Sequence, residues 1–354
     1  MIKVMIMAGG TGGHVFPALA VATELRERGA EVFWLGTRRG LEAKLVPAAG
    51  IGVEWVSVSG LRGKGFLVWL LAPWRLFWAA LQVLSVILRQ RPVVVLGMGG
   101  FVTGPGGVMT WLLRKPLVIH EQNAVAGLTN RLLAPLAQQV LEAFPDTFHG
   151  KHVTHTGNPV RRAISALPVP EERFNGRQGA LRLLVLGGSL GARVLNEVVP
   201  TAIACLSSRP EVWHQAGIRN IDDAVDHYRN ANVTARVEPF IDDMAAAYEW
   251  ADLVVCRAGA LTIAELAAAG VGAILVPYPH AVDDHQTQNA AYLTNAGAAL
   301  VIQQREFTRE KLHALLVSLT DRSRLLHMAQ AARRLAMPHA AATVASMCWE
   351  AANG

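Results

Sequence analysis

The turn Gly9-Gly10-Thr11-Gly12-Gly13-His14 sets an imidazole at the end of a run of flexible backbone. Two further turns share its character: Gly97-Met98-Gly99-Gly100 through Gly107, and Gly187-Gly188-Ser189-Leu190-Gly191-Ala192-Arg193. A glycine turn between a buried strand and a helix lets a ligand approach the main chain closely and aims unpaired helix N–H groups at negative charge. Three of them in one chain predict more than one phosphate-bearing ligand. An imidazole accepts a proton readily near neutral pH. From the residues alone, His14 is either a general base or a hydrogen-bonded structural side chain. The glycines serve either ligand approach or close strand–helix packing.

The second half carries a different constellation. Cys256-Arg257-Ala258-Gly259-Ala260-Leu261-Thr262-Ile263-Ala264-Glu265 leaves an apolar run, turns at Gly259 and enters a helix, predicted over Thr262–Ala269 with Glu265 in its first turn. A carboxylate there is favoured by the helix dipole and can accept two hydrogen bonds from a ribose diol; a plain helix-start charge is the alternative. His280 through Asn289 reads His-Ala-Val-Asp-Asp-His-Gln-Thr-Gln-Asn, and amides such as Gln286 and Asn289 suit sugar hydroxyls. No turn has the spacing G-x-G-x-x-G. Gly36-Thr37-Arg38-Arg39 lacks the acid that grips an NAD ribose, although its arginines would tolerate NADP. The absence of G-x-x-x-x-G-K-[ST] excludes a P-loop nucleotidase.

These residues need elements to hold them. Lys3–Ala8, Glu31–Leu35, Pro92–Leu96 and Leu117–His120 read as strands of the buried, parallel kind, with a helix from Pro17 to Arg28. The pattern restarts with strands at Leu181–Leu186, Trp213–Ala216, Ala235–Pro239, Leu253–Cys256 and Ala273–Pro277, and a helix over Ala192–Leu206. Alternating strands and helices predict an α/β fold of two Rossmann-like domains facing across a cleft, 1–160 and 161–337. The linker falls near Asn158–Arg162, and a last helix begins at Pro338 and lies across either domain. The 354 residues, 52% hydrophobic and 17% charged, suit a folded two-domain chain. The net charge of +6 is uneven: residues 1–160 carry 15 Lys and Arg against 8 Asp and Glu, the remainder 18 against 19. An anionic surface or ligand is therefore expected at the first half; scattered basic residues without an aromatic-interleaved stripe argue against nucleic acid. Cys205, Cys256 and Cys348 fit no disulfide or zinc framework and read as buried, reduced thiols of a cytosolic protein. Ile2–Ala8 is too short for a signal-peptide core.

Phe66–Leu88 contains 23 residues and one charge, Arg75. About 20 apolar residues can span a bilayer. Pro73 and Arg75 near the middle argue against a span, since an arginine at the bilayer centre costs about 2.5–3.5 kcal/mol on insertion scales. The segment reads better as an interfacial loop and helix with Trp69, Trp74, Phe77 and Trp78 inserted and Arg62, Lys64, Arg75, Arg89 and Arg91 on anionic headgroups. A helix buried against the sheet is the alternative, above all for Ala79–Leu88.

Met-Ala-Gly-Gly-Thr-Gly-Gly-His-Val-Phe-Pro-Ala-Leu-Ala (7–20) resembles the opening of the MurG family. Gly-Met-Gly-Gly-Phe-Val-Thr-Gly-Pro-Gly-Gly (97–107), His-Glu-Gln-Asn (120–123), Gly-Asn-Pro-Val-Arg (157–161), Gly-Gly-Ser-Leu-Gly-Ala (187–192) and Arg-Ala-Gly-Ala-Leu-Thr (257–262) continue the match in order. The resemblance implies a GT-B glycosyltransferase that moves N-acetylglucosamine, with inversion, from UDP-N-acetylglucosamine to undecaprenyl-diphosphate-linked N-acetylmuramoyl-pentapeptide. The product is lipid II for peptidoglycan, made at the cytoplasmic face of the plasma membrane by a peripheral enzyme.

The resemblance makes His14 the base and assigns Thr11, Gly12 and Gly13 to the donor sugar or acceptor phosphates. Gly99, Gly100, Gly104 and Gly106 shape the acceptor side. Asn123 contacts the sugar, Arg161 and Ser189 the diphosphate, and Ile241 lines the uracil pocket. Ala260, Leu261, Thr262, Ile263 and Ala264 line the donor helix entry, Glu265 takes the ribose, and Gln286, in preference to Gln288, the sugar hydroxyls. No Asp-X-Asp occurs, so no cofactor and no strict metal requirement is expected, with Arg161 and a helix N-terminus supplying positive charge. Rival readings are a glycosyltransferase acting on diacylglycerol, a UDP-N-acetylglucosamine 2-epimerase, and a non-catalytic membrane adaptor.

Overall fold

The computed structural model describes residues 2–58, 72–150, 152–188 and 191–353. It forms two compact units, Met1–Arg161 together with Pro338–Gly354, and Arg162–Met337.

The first unit is built on a parallel sheet of β1 (Lys3–Met7), β2 (Glu31–Gly36), β3 (Gly52–Trp55), β4 (Val94–Gly97), β5 (Leu117–Glu121), β6 (Gln139–Glu142) and β7 (Val153–His155), in the order β3-β2-β1-β4-β5-β6-β7. Because side chains alternate across a strand, β1 feeds two cores. Val4 and Ile6 pack with Val15, Ala18 and Val21 of the helix Gly12–Glu27 and with Val344 and Cys348 of the last helix, Ala340–Asn353. Met5 and Met7 pack on the other face with Val83, Val86 and Ile87 of the helix Ala72–Gln90. The last helix thus returns to the first unit, where Arg28 donates to Ser346 Oγ (2.8 Å) and to the Ala342 carbonyl (3.0 Å).

The second unit repeats the plan with β8 (Arg182–Leu186), β9 (Glu211–Gln215), β10 (Arg236–Glu238), β11 (Leu253–Cys256), β12 (Gly272–Leu275) and β13 (Ala299–Val301), ordered β10-β9-β8-β11-β12-β13. In both sheets the order reverses beside the first strand, between β1 and β4 and between β8 and β11. Such a reversal splays the loops at the carboxyl ends of the two strands and opens a crevice where α/β folds hold ligands. The glycine turns follow β1, β4 and β8.

Three details differ from the sequence reading. The helix after β1 starts at Gly12, not Pro17, so His14 stands in its first turn. Proline's preference for a helix start suggested the later boundary, but tertiary packing carries the helix through it. The helix after β11 starts at Ala260, capped by Gly259, which moves Glu265 into the second turn. Cys256 and Cys348 are buried, and burial pushes each thiol up to about 12, but Cys205 is exposed.

Candidate active site

At the β1/β4 reversal the first two glycine turns interlock. Gly99 and Gly100 have φ of +91° and +87°. A Cβ on Gly100 would stand 2.5 Å from the Gly9 carbonyl, and one on Gly99 would stand 2.8 Å from His14 Nδ1. The first turn is held from below by Glu42, which is fully buried. Its carboxylate accepts from Gly10 N (2.9 Å), Thr37 N (3.1 Å) and Thr37 Oγ1 (2.8 Å). Thr11 is the N-cap, so Gly12 and Gly13 supply first-turn amides that have no intrahelical acceptor.

His14 is linked across the reversal to the end of β5. Its Nδ1 lies 2.8 Å from Gln122 Oε1, and Gln122 Nε2 lies 3.0 Å from His120 Nδ1. His120 is fully buried and its Nε2 is 3.0 Å from the Gly157 carbonyl. Burial pushes His120 down to about 4, so this ring is neutral at physiological pH. Glu121 organises the following loop: it accepts from Asn123 N (3.0 Å), Asn123 Nδ2 (3.2 Å), Gly127 N (3.0 Å) and Asn130 Nδ2 (2.9 Å). Asn123 is thereby fixed directly after Gln122, the residue whose side chain contacts His14. Arg161 belongs to this unit and stacks its guanidinium over Phe16, 5.5 Å from the ring centroid and two residues past His14. Gly104 is half-buried near Thr129, whereas Gly106 is buried, and a Cβ there would overlap Met7 Sδ at 2.1 Å. Gly106 lets the helix Thr103–Leu112 lie close on the sheet.

The same unit presents an apolar face. Trp74, Phe77 and Trp78 are exposed at 65%, 53% and 54% on the helix Ala72–Gln90. The helix Thr103–Leu112 packs beside it and adds exposed Trp111 and Leu112, and the helix Leu128–Leu133 adds Leu128 and Leu132. Ala79, Val83, Val86 and Ile87 of the first helix point into the core. The described part of the segment is therefore buried along one helix face and exposed along the other. Trp69, Arg62 and Lys64 lie outside the described residues. Among the described residues no helix is long and apolar enough to cross a membrane.

In the second unit the turn after β8 packs Gly187 and Gly191 against neighbouring backbone: Cβ atoms there would meet Ala192 N at 2.8 Å and the Ala216 carbonyl at 2.4 Å. Ser189 lies outside the described residues. Across the reversal, Ala260 and Ile263 are buried while Leu261, Thr262 and Ala264 are half-buried at the helix entry. Glu265 is 6% exposed and accepts from the Tyr248 hydroxyl (3.1 Å), which orients the carboxylate. Gln286 Oε1 accepts from Tyr278 N (2.9 Å), while Gln288 is exposed. Asn289 is buried and donates to the Ala258 carbonyl (3.2 Å), joining the polar loop to the Gly259 turn. Arg257 donates to Gln304 Oε1 (2.7 Å) and stacks over Tyr278. Ile241, after β10, is buried. Among the described residues no cluster of three or more His, Cys, Asp or Glu side chains could hold a metal ion.

Sequence reasoning missed Glu42, His120, Gln122 and Tyr248 as supports, and Trp111 on the apolar face. His120 and Gln122 sat in a quoted motif without a role. For Glu42 and Tyr248 the signal is weak, since only tertiary contact brings them to the turns they hold.

Two Rossmann-order sheets with glycine turns at their reversals fit a nucleotide-sugar enzyme, and the comparisons define the class. The glycosyltransferase family 28 N-terminal domain matches residues 4–142 and its C-terminal domain residues 182–344, on a GT-B fold. The UDP-N-acetylglucosamine–N-acetylmuramyl-(pentapeptide) pyrophosphoryl-undecaprenol N-acetylglucosamine transferase of Nitrosococcus oceani is 59% identical, covering 100% of this chain and 99% of that protein. The Marinobacter nauticus protein of the same name is 56% identical over 99% of this chain and 98% of its own length. The crystal structure of Acinetobacter baumannii MurG, 41% identical, superimposes with a TM-score of 0.86 over 99% of this chain and 100% of that one. The chain belongs to the MurG family of glycosyltransferases.

Proposed function

We propose that this chain transfers N-acetylglucosamine from UDP-N-acetylglucosamine to the 4-hydroxyl of the muramyl sugar on undecaprenyl-diphosphate-linked N-acetylmuramoyl-pentapeptide, giving lipid II. The observation that carries the reading is the fixed His14 imidazole at the β1/β4 reversal, in a chain 59% identical to a transferase of that name. His14 takes the proton of the acceptor hydroxyl. The oxygen forms a bond to the anomeric carbon as the bond to the UDP oxygen breaks, and the electron pair leaves with the diphosphate. A single displacement of this kind inverts the anomeric centre.

The second unit holds the donor. Glu265, oriented by Tyr248, accepts from the ribose hydroxyls, Gln286 addresses the sugar, and Ile241 lines the base pocket. Ser189 meets the diphosphate, whose developing charge is what helix amides stabilise in the transition state. Ala260 through Ala264 shape the helix entry. The first unit receives the acceptor through Gly99, Gly100 and Gly104, and its apolar face rests on the anionic cytoplasmic leaflet.

The test is transfer of radiolabelled N-acetylglucosamine to a short-chain acceptor analogue. His14→Ala lowers kcat by about 10²–10⁴ with the donor KM little changed, the range for a lost general base. Full turnover by His14→Ala overturns the assignment. Glu265→Ala instead raises the donor KM.

A further inference from the structure

We propose that His120 and Gln122 are positioning residues that lock His14 in its Nδ1–H tautomer, leaving the lone pair on Nε2. The inference rests on the reading of His14 as the base. Two backbone carbonyls settle the direction of each hydrogen bond that links His120, Gln122 and His14, because a carbonyl can only accept.

The Gly157 carbonyl, 3.0 Å from His120 Nε2, requires a proton on that nitrogen. The His120 carbonyl, 3.1 Å from Gln122 Nε2, requires the amide's NH₂ end to lie on its side. The NH₂ group therefore also donates to His120 Nδ1, and Gln122 Oε1 faces His14. An amide oxygen 2.8 Å from His14 Nδ1 demands N–H there. Turning the amide over would set oxygen against the His120 carbonyl. It would also require both His120 nitrogens to carry protons inside a site where burial holds the ring near 4. The backbone around the relay is itself tied down: Asn158 Nδ2 donates to the Gln122 carbonyl (2.9 Å) and Asn130 Nδ2 to the His120 carbonyl (3.2 Å).

This tautomer is the one the reaction needs. A ring with Nε2–H would point a donor at the acceptor hydroxyl and could not take its proton through that atom. With Nδ1–H in place, Nε2 accepts the proton and becomes N–H, while Nδ1–H keeps its bond to the amide oxygen. No other proton moves, so the relay needs no rearrangement during the step. A neutral amide does here the orienting work that a carboxylate does in hydrolase triads.

The experiment is ¹⁵N-imidazole NMR of the full chain, alongside steady-state kinetics. Wild type shows His14 with a protonated Nδ1 and a pyridine-like Nε2. Gln122→Leu moves His14 to the Nε2–H form or a mixture and lowers kcat about a hundredfold or more, with the donor KM little changed. A wild-type His14 carrying its proton on Nε2 overturns the proposal, as does Gln122→Leu with an unchanged tautomer. If Gln122→Leu does not fold, the wild-type spectrum alone decides. A His14→Ala enzyme with full turnover would instead remove the base assignment and leave the tautomer assignment standing.

Discussion

Gly99 lies directly against the ring of His14: a methyl group at residue 99 would stand 2.8 Å from Nδ1 and 2.9 Å from Cε1. The glycine at this position is therefore required twice over, for its φ of +91° and for the space it leaves to the imidazole. Gly99→Ala should displace the ring and break its 2.8 Å contact with Gln122. The expected outcome is a loss of kcat of at least tenfold together with about 1–2 kcal/mol of stability. Gly50→Ala separates the two effects. Gly50 also has positive φ, +67°, but a Cβ there meets nothing within 4 Å. It should lose stability and keep kcat, as parallel urea melts and kinetics would show.

Tyr248 acts on the donor side through Glu265. Removing its hydroxyl in Tyr248→Phe takes away the 3.1 Å bond to Oε2 and lets a buried carboxylate turn. A hydrogen bond to a charged group contributes about 1.5–3 kcal/mol. The donor KM should rise about tenfold while kcat holds. An unchanged KM in steady-state assays would remove Glu265 from the ribose.

Two buried histidines make the fold acid-sensitive above the carboxylate range. Burial lowers His120 to about 4 and His214 to about 3, against 6.5 for an exposed imidazole. The unfolded chain then binds protons that the folded chain refuses, so stability is complete above pH 6.5 and falls as the pH drops. The slope is about 1.4 kcal/mol per pH unit for each histidine. It ends near pH 4 for His120, in the first unit, and near pH 3 for His214, in the second. Unfolding free energies measured from pH 6.5 to 5 should show it, and a flat profile would contradict the burial of both rings.

The apolar face should bind anionic vesicles in a salt-sensitive way, because basic headgroup contacts are screened while inserted rings are not. Replacing Trp74, Phe77 and Trp78 by serine should abolish co-flotation and leave the melting temperature nearly unchanged, since all three are exposed. Trp111→Ser should weaken binding too, although it lies outside the apolar sequence segment. Unaltered flotation by the triple variant would remove the membrane from the proposal.

The sequence by itself determined the α/β class, the repeated plan and the family. Continuous apolar runs such as Lys3–Met7 must be buried on both sides, and a glycine turn after such a run has few uses. It also singled out His14, Glu265 and Gln286 as candidates, because each follows an apolar strand within the next turn and helix start. Helix starts were less legible: Pro17 and Thr262 looked like boundaries, yet packing extended both helices toward their glycines.

Only the tertiary structure decided what holds those residues in place. Glu42 reaches Gly10, 32 positions earlier, and Gln122 reaches His14 across 108. Such pairs follow from which strands lie side by side, and β1 comes beside β4, with β5 next in order, only after the sheet forms. A single residue's type states which bonds it can make. The fold alone chose the partner, and with it the nitrogen of His14 that is left to do chemistry.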